Sequence, residues 1–183
     1  MPHLSICILH GLGGPALIRP VRVRSVPASM KLSLKGEYAL RALVVLGLSY
    51  EVPDVVRIQT ISERQNIPKR FLEQILNDLR AAGLLESRRG VSGGYRLKLP
   101  PEQITLAEVI RHMDGPLAPV SCVSENCYER CSCPDEERCG IRSIMKEVRT
   151  AIVKVLEGVT VADLCARVRL LEGQNSHPLD YVI

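Results

Sequence analysis

From Tyr38 to Leu48 the chain is apolar almost all round, interrupted mainly by Arg41 and Gly47, and this pattern predicts a buried helix. Pro53 breaks it. Thr60-Ile61-Ser62-Glu63 then has the form of a capping box, in which the Thr side chain accepts from the third backbone N–H and the Glu answers back. A short helix is expected from there to about Asn66. Pro68 suits the first turn of the next helix, where its missing N–H costs nothing. In that helix Phe71, Leu72, Ile75, Leu76 and Leu79 recur at helical spacing, and Gly83 is placed to end it. The opposite face carries Lys69, Arg70, Glu73, Gln74 and Asn77.

Two helices on a short turn, the second amphipathic with long polar residues near its start, read as a helix-turn-helix. Leu84 to Arg88 and Tyr95 to Leu99 can pair as strands around Arg89-Gly90-Val91-Ser92-Gly93-Gly94. The three glycines of that tip permit positive φ. With Arg88 and Arg89 at its base, the hairpin is a basic wing. Many small α+β domains carry such a pattern as mere scaffold, so charge has to decide.

Past the wing, Thr105-Leu106-Ala107-Glu108 is a second capping box, opening a helix to about Met113 that Gly115-Pro116 stops. A cysteine-rich loop follows, and then a long helix over roughly Ile141 to Glu157. Ile141, Met145, Val148, Ile152 and Val155 alternate spacings of four and three, widened by Ile144, Ala151 and Leu156. That is a coiled-coil-like seam, and it favours dimerisation over burial within one domain. Thr160 can cap a last short helix through about Arg169, and the tail after Gly173 reads as disordered. Residues 1–29 have no periodicity and precede a second methionine, Met30; they read as a flexible extension. Arg19, Arg22 and Arg24 would make it a basic arm if it met DNA.

Composition changes this picture in two respects. At 183 residues, 46% hydrophobic and 24% charged, wholesale disorder is excluded, and no apolar run approaches the roughly 18 residues of a membrane span. No Trp and one Phe leave little for base-stacking platforms on single strands. Residues 30–100 hold 12 Lys and Arg against 7 Asp and Glu, whereas residues 101–183 hold 9 against 13. A basic half followed by an acidic one suggests that only the first meets a polyanion. Joined to the helix-turn-helix and the wing, it points to double-stranded DNA.

Cys122, Cys127, Cys131, Cys133 and Cys139 crowd into 18 residues, while Cys7 and Cys165 stand apart. A disulfide framework spreads its cysteines through a small secreted domain, so a metal or redox site in a reducing cytoplasm is the expectation. Cys127, Cys133 and Cys139 form C-x5-C-x5-C. Thiolates bind iron–sulfur clusters or zinc, and metal-free redox thiols are the third option. The loop lacks His, and its surplus of acidic residues would keep free thiols protonated. No base is arranged beside a nucleophile and no phosphate-cradling loop occurs, so an enzyme is not expected. Cys165 reads as a small buried apolar residue.

Met30-Lys-Leu-Ser-Leu-Lys-Gly-Glu-Tyr-Ala-Leu-Arg-Ala42, Ile61-Ser-Glu-Arg-Gln-Asn-Ile-Pro68, Phe71-Leu-Glu-Gln-Ile-Leu76 and Ala82-Gly-Leu-Leu-Glu-Ser-Arg-Arg-Gly-Val-Ser-Gly-Gly-Tyr95 together resemble the Rrf-two (IscR/NsrR-type) family of bacterial winged-helix transcription regulators. The likeness covers Met30 to about Leu164. It implies a homodimer crossing through the long helix, a roughly palindromic operator, and a [2Fe-2S] or [4Fe-4S] cluster on Cys127, Cys133 and Cys139. Members of the iron–sulfur assembly branch carry a His three residues after the last cysteine, where this chain has Arg142. A guanidinium does not ligate iron. The fourth ligand is then Glu37, matching a position from which some members donate a carboxylate across the dimer, or Cys122 or Cys131 within the loop.

The resulting expectation is a mainly α fold with a small β-wing. Its parts are an extension over 1–29, a winged helix-turn-helix domain over 30–115, a cluster loop over 116–140, dimerisation and C-terminal helices over 141–172, and a tail over 173–183. Lys69, Arg70, Glu73 and Gln74 would face the major groove, and Arg88, Arg89 and Ser92 would belong to the DNA-binding wing. A cytoplasmic homodimeric regulator controlled by an iron–sulfur cluster or by redox state is expected, with no small-molecule substrate. The alternatives are a zinc-stabilised or cluster-free thiol-based regulator, or an interaction module.

Overall fold

The computed structural model describes residues 32–90 and 92–175. The extension expected over 1–29 and the tail beyond residue 175 lie outside the described residues. Among those described, the elements run α1 (Leu34–Leu48), α2 (Ile58–Gln65), α3 (Lys69–Ala81), β1 (Leu85–Arg88), β2 (Gly94–Leu97), α4 (Leu106–Asp114), α5 (Gly140–Glu157) and α6 (Val161–Asn175). Short 3-10 turns occur at Pro101–Gln103 and Ser121–Val123. The fold is mainly α with one two-stranded antiparallel sheet. It divides into two compact units, residues 32–114 with the chain from Val153 onward, and residues 115–152.

The first unit is built around α1. Its all-round apolar sequence is buried from Ala42 to Gly47, against α3, α4 and α6. Ser33 caps it, accepting from the Gly36 N–H at 3.1 Å, and Asp114 at the end of α4 in turn accepts from the Ser33 backbone N–H at 2.9 Å and from its hydroxyl. Leu72, Ile75, Leu76 and Leu79 of α3, Leu85 and Leu97 of the sheet, Val109 and Met113 of α4, and Val161 and Cys165 of α6 complete one core. Gly47 lets α6 approach: a Cβ there would lie 2.7 Å from the Cys165 sulfur. Cys165 is buried as expected.

Three local expectations change. The Thr60 box does not open α2, which starts at Ile58 with Arg57 as its N-cap and no side-chain cap. The preceding Val56 is bridged to Tyr95 by two backbone hydrogen bonds, at 2.8 and 2.9 Å, which delivers the chain into the helix early. Glu63, freed from capping, pairs with Gln59 one turn back. Pro68 is the N-cap of α3 rather than a residue of its first turn. The last helix runs to Asn175, past the expected end at Arg169 and into the segment read as tail. By contrast Thr105 does cap α4, accepting from the Glu108 N–H at 3.1 Å, and Thr160 and Asp163 exchange hydrogen bonds at the start of α6.

In the second unit Ala118, Cys122 and Val123 form a small core lined by Val120, Cys131 and Met145. Helix α5, about 27 Å long, has no buried residue. Of its seam, Ile141, Ile144, Val148 and Val155 are exposed, while Met145 is drawn onto the small core.

Candidate nucleic-acid interface and thiol centre

Helix α3 is amphipathic because its apolar residues recur three and four apart, so burying Leu72, Ile75, Leu76 and Leu79 turns the opposite face outward. Lys69, Arg70, Glu73 and Gln74 lie on that face, all exposed. Phe71, expected in the buried stripe, is 55% exposed. It sits at the stripe's edge and lines a groove with Leu34, Tyr38 and Gln74. Beside this groove Lys35 pairs with Asp78 at 2.7 Å. Asn66, in the left-handed conformation at φ 49°, ends α2 and sets the turn between the two helices.

Strands β1 and β2 pair Leu85 with Leu97, Glu86 with Arg96, Ser87 with Tyr95 and Arg88 with Gly94. Leu85 and Leu97 anchor the hairpin in the core, and the Glu86–Arg96 ion pair staples its exposed face. Of the tip glycines, only Gly90 has positive φ, at 110°. Gly93 and Gly94 serve close approach instead: a Cβ on either would lie 2.5 Å from a carbonyl oxygen, of Arg88 or Val56 respectively. Arg88, Arg89 and Ser92 are exposed. Among the described residues, Lys69, Arg70, Arg88 and Arg89 have no ion-pair partner, which leaves four cations on α3 and the wing uncompensated. Glu37 lies in the first turn of α1, 3.2 Å from Arg41, whose guanidinium also sits over the Tyr38 ring.

The second unit brings thiols together. Among the described residues, Cys122, Cys131, Cys133 and Cys139 are free within the loop. Cys139 and Cys133 lie 3.6 Å apart. Cys127, the first cysteine of C-x5-C-x5-C, is disulfide-bonded and outside this free set, and its N–H donates to the Ser124 hydroxyl. The sulfurs of Cys122 and Cys131 and a carboxylate oxygen of Glu136 lie within 4.8 Å of one another. Arg142 organises the group: its backbone N–H donates to the Cys139 sulfur at 3.4 Å, and its Nε donates to the Cys122 carbonyl at 3.2 Å and lies 3.3 Å from Glu136. The Tyr128 hydroxyl donates to both Glu136 oxygens, at 2.8 and 2.7 Å.

These contacts sort the thiols. Hydrogen bonds to Cys131 and Cys139 push Cys133 up to about 12, and burial raises Cys122. Cys131 is lowered, because the Cys133 backbone N–H and thiol stabilise its thiolate. The Glu136 charge raises Cys122 and Cys131 alike, as an acidic loop should, and it is hydrogen bonding that brings Cys131 down. Hydrogen bonding to Glu136 holds the Tyr128 phenol up. The sequence offered no spacing signal for Glu136 or Tyr128, and it marked Arg142 only as a missing ligand.

A family model described as "Rrf2: Iron-dependent Transcriptional regulator" matches residues 32–167. An Rrf2-like HTH-type transcriptional regulator of Rhodobacter capsulatus is 40% identical over 138 residues, covering 74% of this chain and 92% of its own. The HTH-type transcriptional regulator IscR of Aliivibrio salmonicida is 36% identical over 136 residues, covering 74% and 77%. The solved structure of CymR, the global cysteine regulator of B. subtilis, superposes with a TM-score of 0.64 at 30% identity, covering 75% of this chain and 98% of that one. These relatives are regulators, not enzymes, and among the described residues no helix is long and apolar enough to cross a membrane. The chain belongs to the Rrf2 family of HTH-type transcriptional regulators.

Proposed function

We propose that the chain is a homodimeric, cytoplasmic DNA-binding regulator whose operator affinity is set by the state of its cysteine loop. The observation that carries the DNA part is the group of uncompensated cations, Lys69, Arg70, Arg88 and Arg89, on one helix and one hairpin. Left without intramolecular partners, such cations are available to phosphates, and counterion release then drives binding. Gln74 would read adenine, Glu73 would accept from cytosine, and Lys69 or Arg70 would hold phosphate or guanine in the major groove. Arg89 and Ser92 would reach the minor groove. The exposed seam of α5, Ile141, Ile144, Val148 and Val155, supports pairing with a second copy.

The donor set fits an iron–sulfur cluster: Cys133 and Cys139 lie together, and Cys122 and Cys131 add thiols to a loop without His. Cys133 and Cys139, with Cys127 as a thiol, would hold it, and Glu37, Cys122 or Cys131 would supply the fourth ligand. When bound, a cluster supplies a centre whose charge and occupancy respond to redox conditions. The chain's own part is to hold the loop: Arg142 ties it to α5, and burial of Cys122, Val123 and Ala118 anchors its first turn. A change there worth about 1–3 kcal/mol between two arrangements alters operator affinity roughly 5–150-fold.

The second reading is a cluster-free thiol regulator of the same family. The likeness to CymR, the global cysteine regulator of B. subtilis, favours it, together with a free Cys131 whose thiol is lowered by hydrogen bonds from Cys133. The test is anaerobic purification followed by iron, zinc and acid-labile sulfide per protomer, with anisotropy titration of DNA from upstream of its own gene. Equal iron and sulfide, with affinity that changes on cluster loss, bears out the first reading. Absence of both after reconstitution, with affinity that changes on thiol oxidation, bears out the second. No specific binding to that DNA counts against operator control of its own gene in either form.

A further inference from the structure

The cysteine loop holds a second donor set that uses none of the C-x5-C-x5-C cysteines. Cys122 comes from the 3-10 turn Ser121–Val123, Cys131 from the middle of the loop, and Glu136 from its last stretch before α5. All three ligand atoms nonetheless converge within 4.8 Å. Around a tetrahedral zinc ion, with Zn–S of about 2.3 Å and Zn–O of about 2.1 Å, neighbouring donors are roughly 3.5–3.8 Å apart. The set needs to close by about 1.3 Å at most.

Its surroundings are those of a ligand group and not of a loose acidic surface. Cys122 is only 7% exposed, and the Glu136 side chain 14%. The Glu136 carboxylate is oriented from outside by the Tyr128 hydroxyl and the Arg142 guanidinium, the kind of outer partners that fix carboxylate ligands in metal sites. Two thiolates favour a soft or borderline ion over calcium or magnesium, while the carboxylate disfavours a purely soft ion such as Cu(I). Three donors this close together suit one ion better than a multinuclear cluster.

We propose that Cys122, Cys131 and Glu136 form a zinc site, with water in the fourth tetrahedral position and Tyr128 and Arg142 as positioning residues. The site does not depend on the cluster reading, but it uses Cys122 and Cys131, so both centres are filled together only where Glu37 completes the cluster. Zinc would pin the loop's first turn to its end, fixing the segment that carries the other cysteines.

The full chain carrying C127S, C133S and C139S, purified anaerobically and stripped with chelator, is titrated with Zn²⁺ against a chromophoric competitor. Far-UV circular dichroism checks its fold. One zinc per protomer is expected. Adding C122S or C131S should abolish that equivalent, E136Q should weaken it at least about tenfold, and Y128F by about tenfold. A folded triple variant that takes up no zinc, or one that keeps its equivalent after C122S or C131S, overturns the site. Should the triple variant unfold, C122S and E136Q are titrated in the unmodified chain. Loss of one zinc equivalent in C122S with weakened uptake in E136Q supports the proposal, and unchanged zinc uptake in both overturns it.

Discussion

Arg142, in the first turn of α5, donates through Nε to the carbonyl of Cys122, twenty residues earlier, at 3.2 Å. One guanidinium thus closes the cysteine loop, while the same residue's N–H holds the Cys139 sulfur. Replacing it by Ala removes a charge-assisted hydrogen bond and an ion pair at a partly exposed site, so the cost falls mainly on local order. R142A should speed amide exchange over residues 121–139 at least about tenfold while leaving α1 to α4 unchanged. Equal protection in that loop would show that the cysteines hold it without Arg142.

DNA contacts are separable by their salt dependence. If Lys69, Arg70, Arg88 and Arg89 neutralise phosphates, each Ala variant should weaken binding on all sequences and lower the slope of log K against log salt by about one. Q74A should instead cost about 1–3 kcal/mol on the preferred sequence alone. Anisotropy titrations at several salt concentrations check both. A slope unchanged in R89A would remove the wing from the interface.

In the proposed homodimer the seam of α5 carries the interface. Ile144 and Val148 are exposed in the single chain, one turn apart on one side of the helix. A carboxylate placed at either position would have to be desolvated in a dimer, at about 3 kcal/mol or more, roughly a 100-fold loss in association. I144E and V148E should therefore sediment as monomers at concentrations where the unmodified chain is a dimer. A dimer that survives both would move the interface off this helix.

What the sequence disclosed and what it hid follow from range. Periodicity placed α3 because burial of Leu72, Ile75, Leu76 and Leu79 is written locally, and Gly83, at φ 81°, stopped it where expected. The Thr60 box misled because Val56 is bridged to Tyr95, a pairing no local pattern announces. Phe71 matched the apolar period but sits at its edge. The C-x5-C-x5-C spacing identified the loop, yet the three-ligand group in it includes Glu136, which becomes a neighbour of Cys122 only through the loop's path. Asp114 and Ser33, 81 residues apart, are likewise legible only in three dimensions.

That last pair makes a stability prediction. Asp114 accepts from two groups of the α1 cap and packs so closely that a Cβ on Gly36 would lie 2.5 Å from its carboxylate. D114A should cost about 1.5–3 kcal/mol in chemical denaturation, since it orphans both donors of Ser33. G36A should also destabilise, by crowding the carboxylate. Combined with D114A, G36A should cost less than it does alone, because the crowded group is gone. Additive losses would place the strain elsewhere.

At the start of α6 the Thr160 hydroxyl and N–H both donate to Asp163, at 2.7 and 2.8 Å, and hold its carboxyl below the usual carboxylate range. A group depressed in the folded state adds stability above its unfolded pKa of about 3.9, and loses it as pH falls through the folded value. At pH 7, T160A and D163N should therefore both be less stable than the unmodified chain, T160A through loss of the cap's hydroxyl donor and acceptor. Titrated downward from pH 5, the gap between D163N and the unmodified chain should narrow and close once both states are protonated. Guanidinium denaturation at pH 7 and in steps below pH 4 reads this directly, and a gap that stays constant across that range would mean that the carboxylate charge does not contribute to the cap.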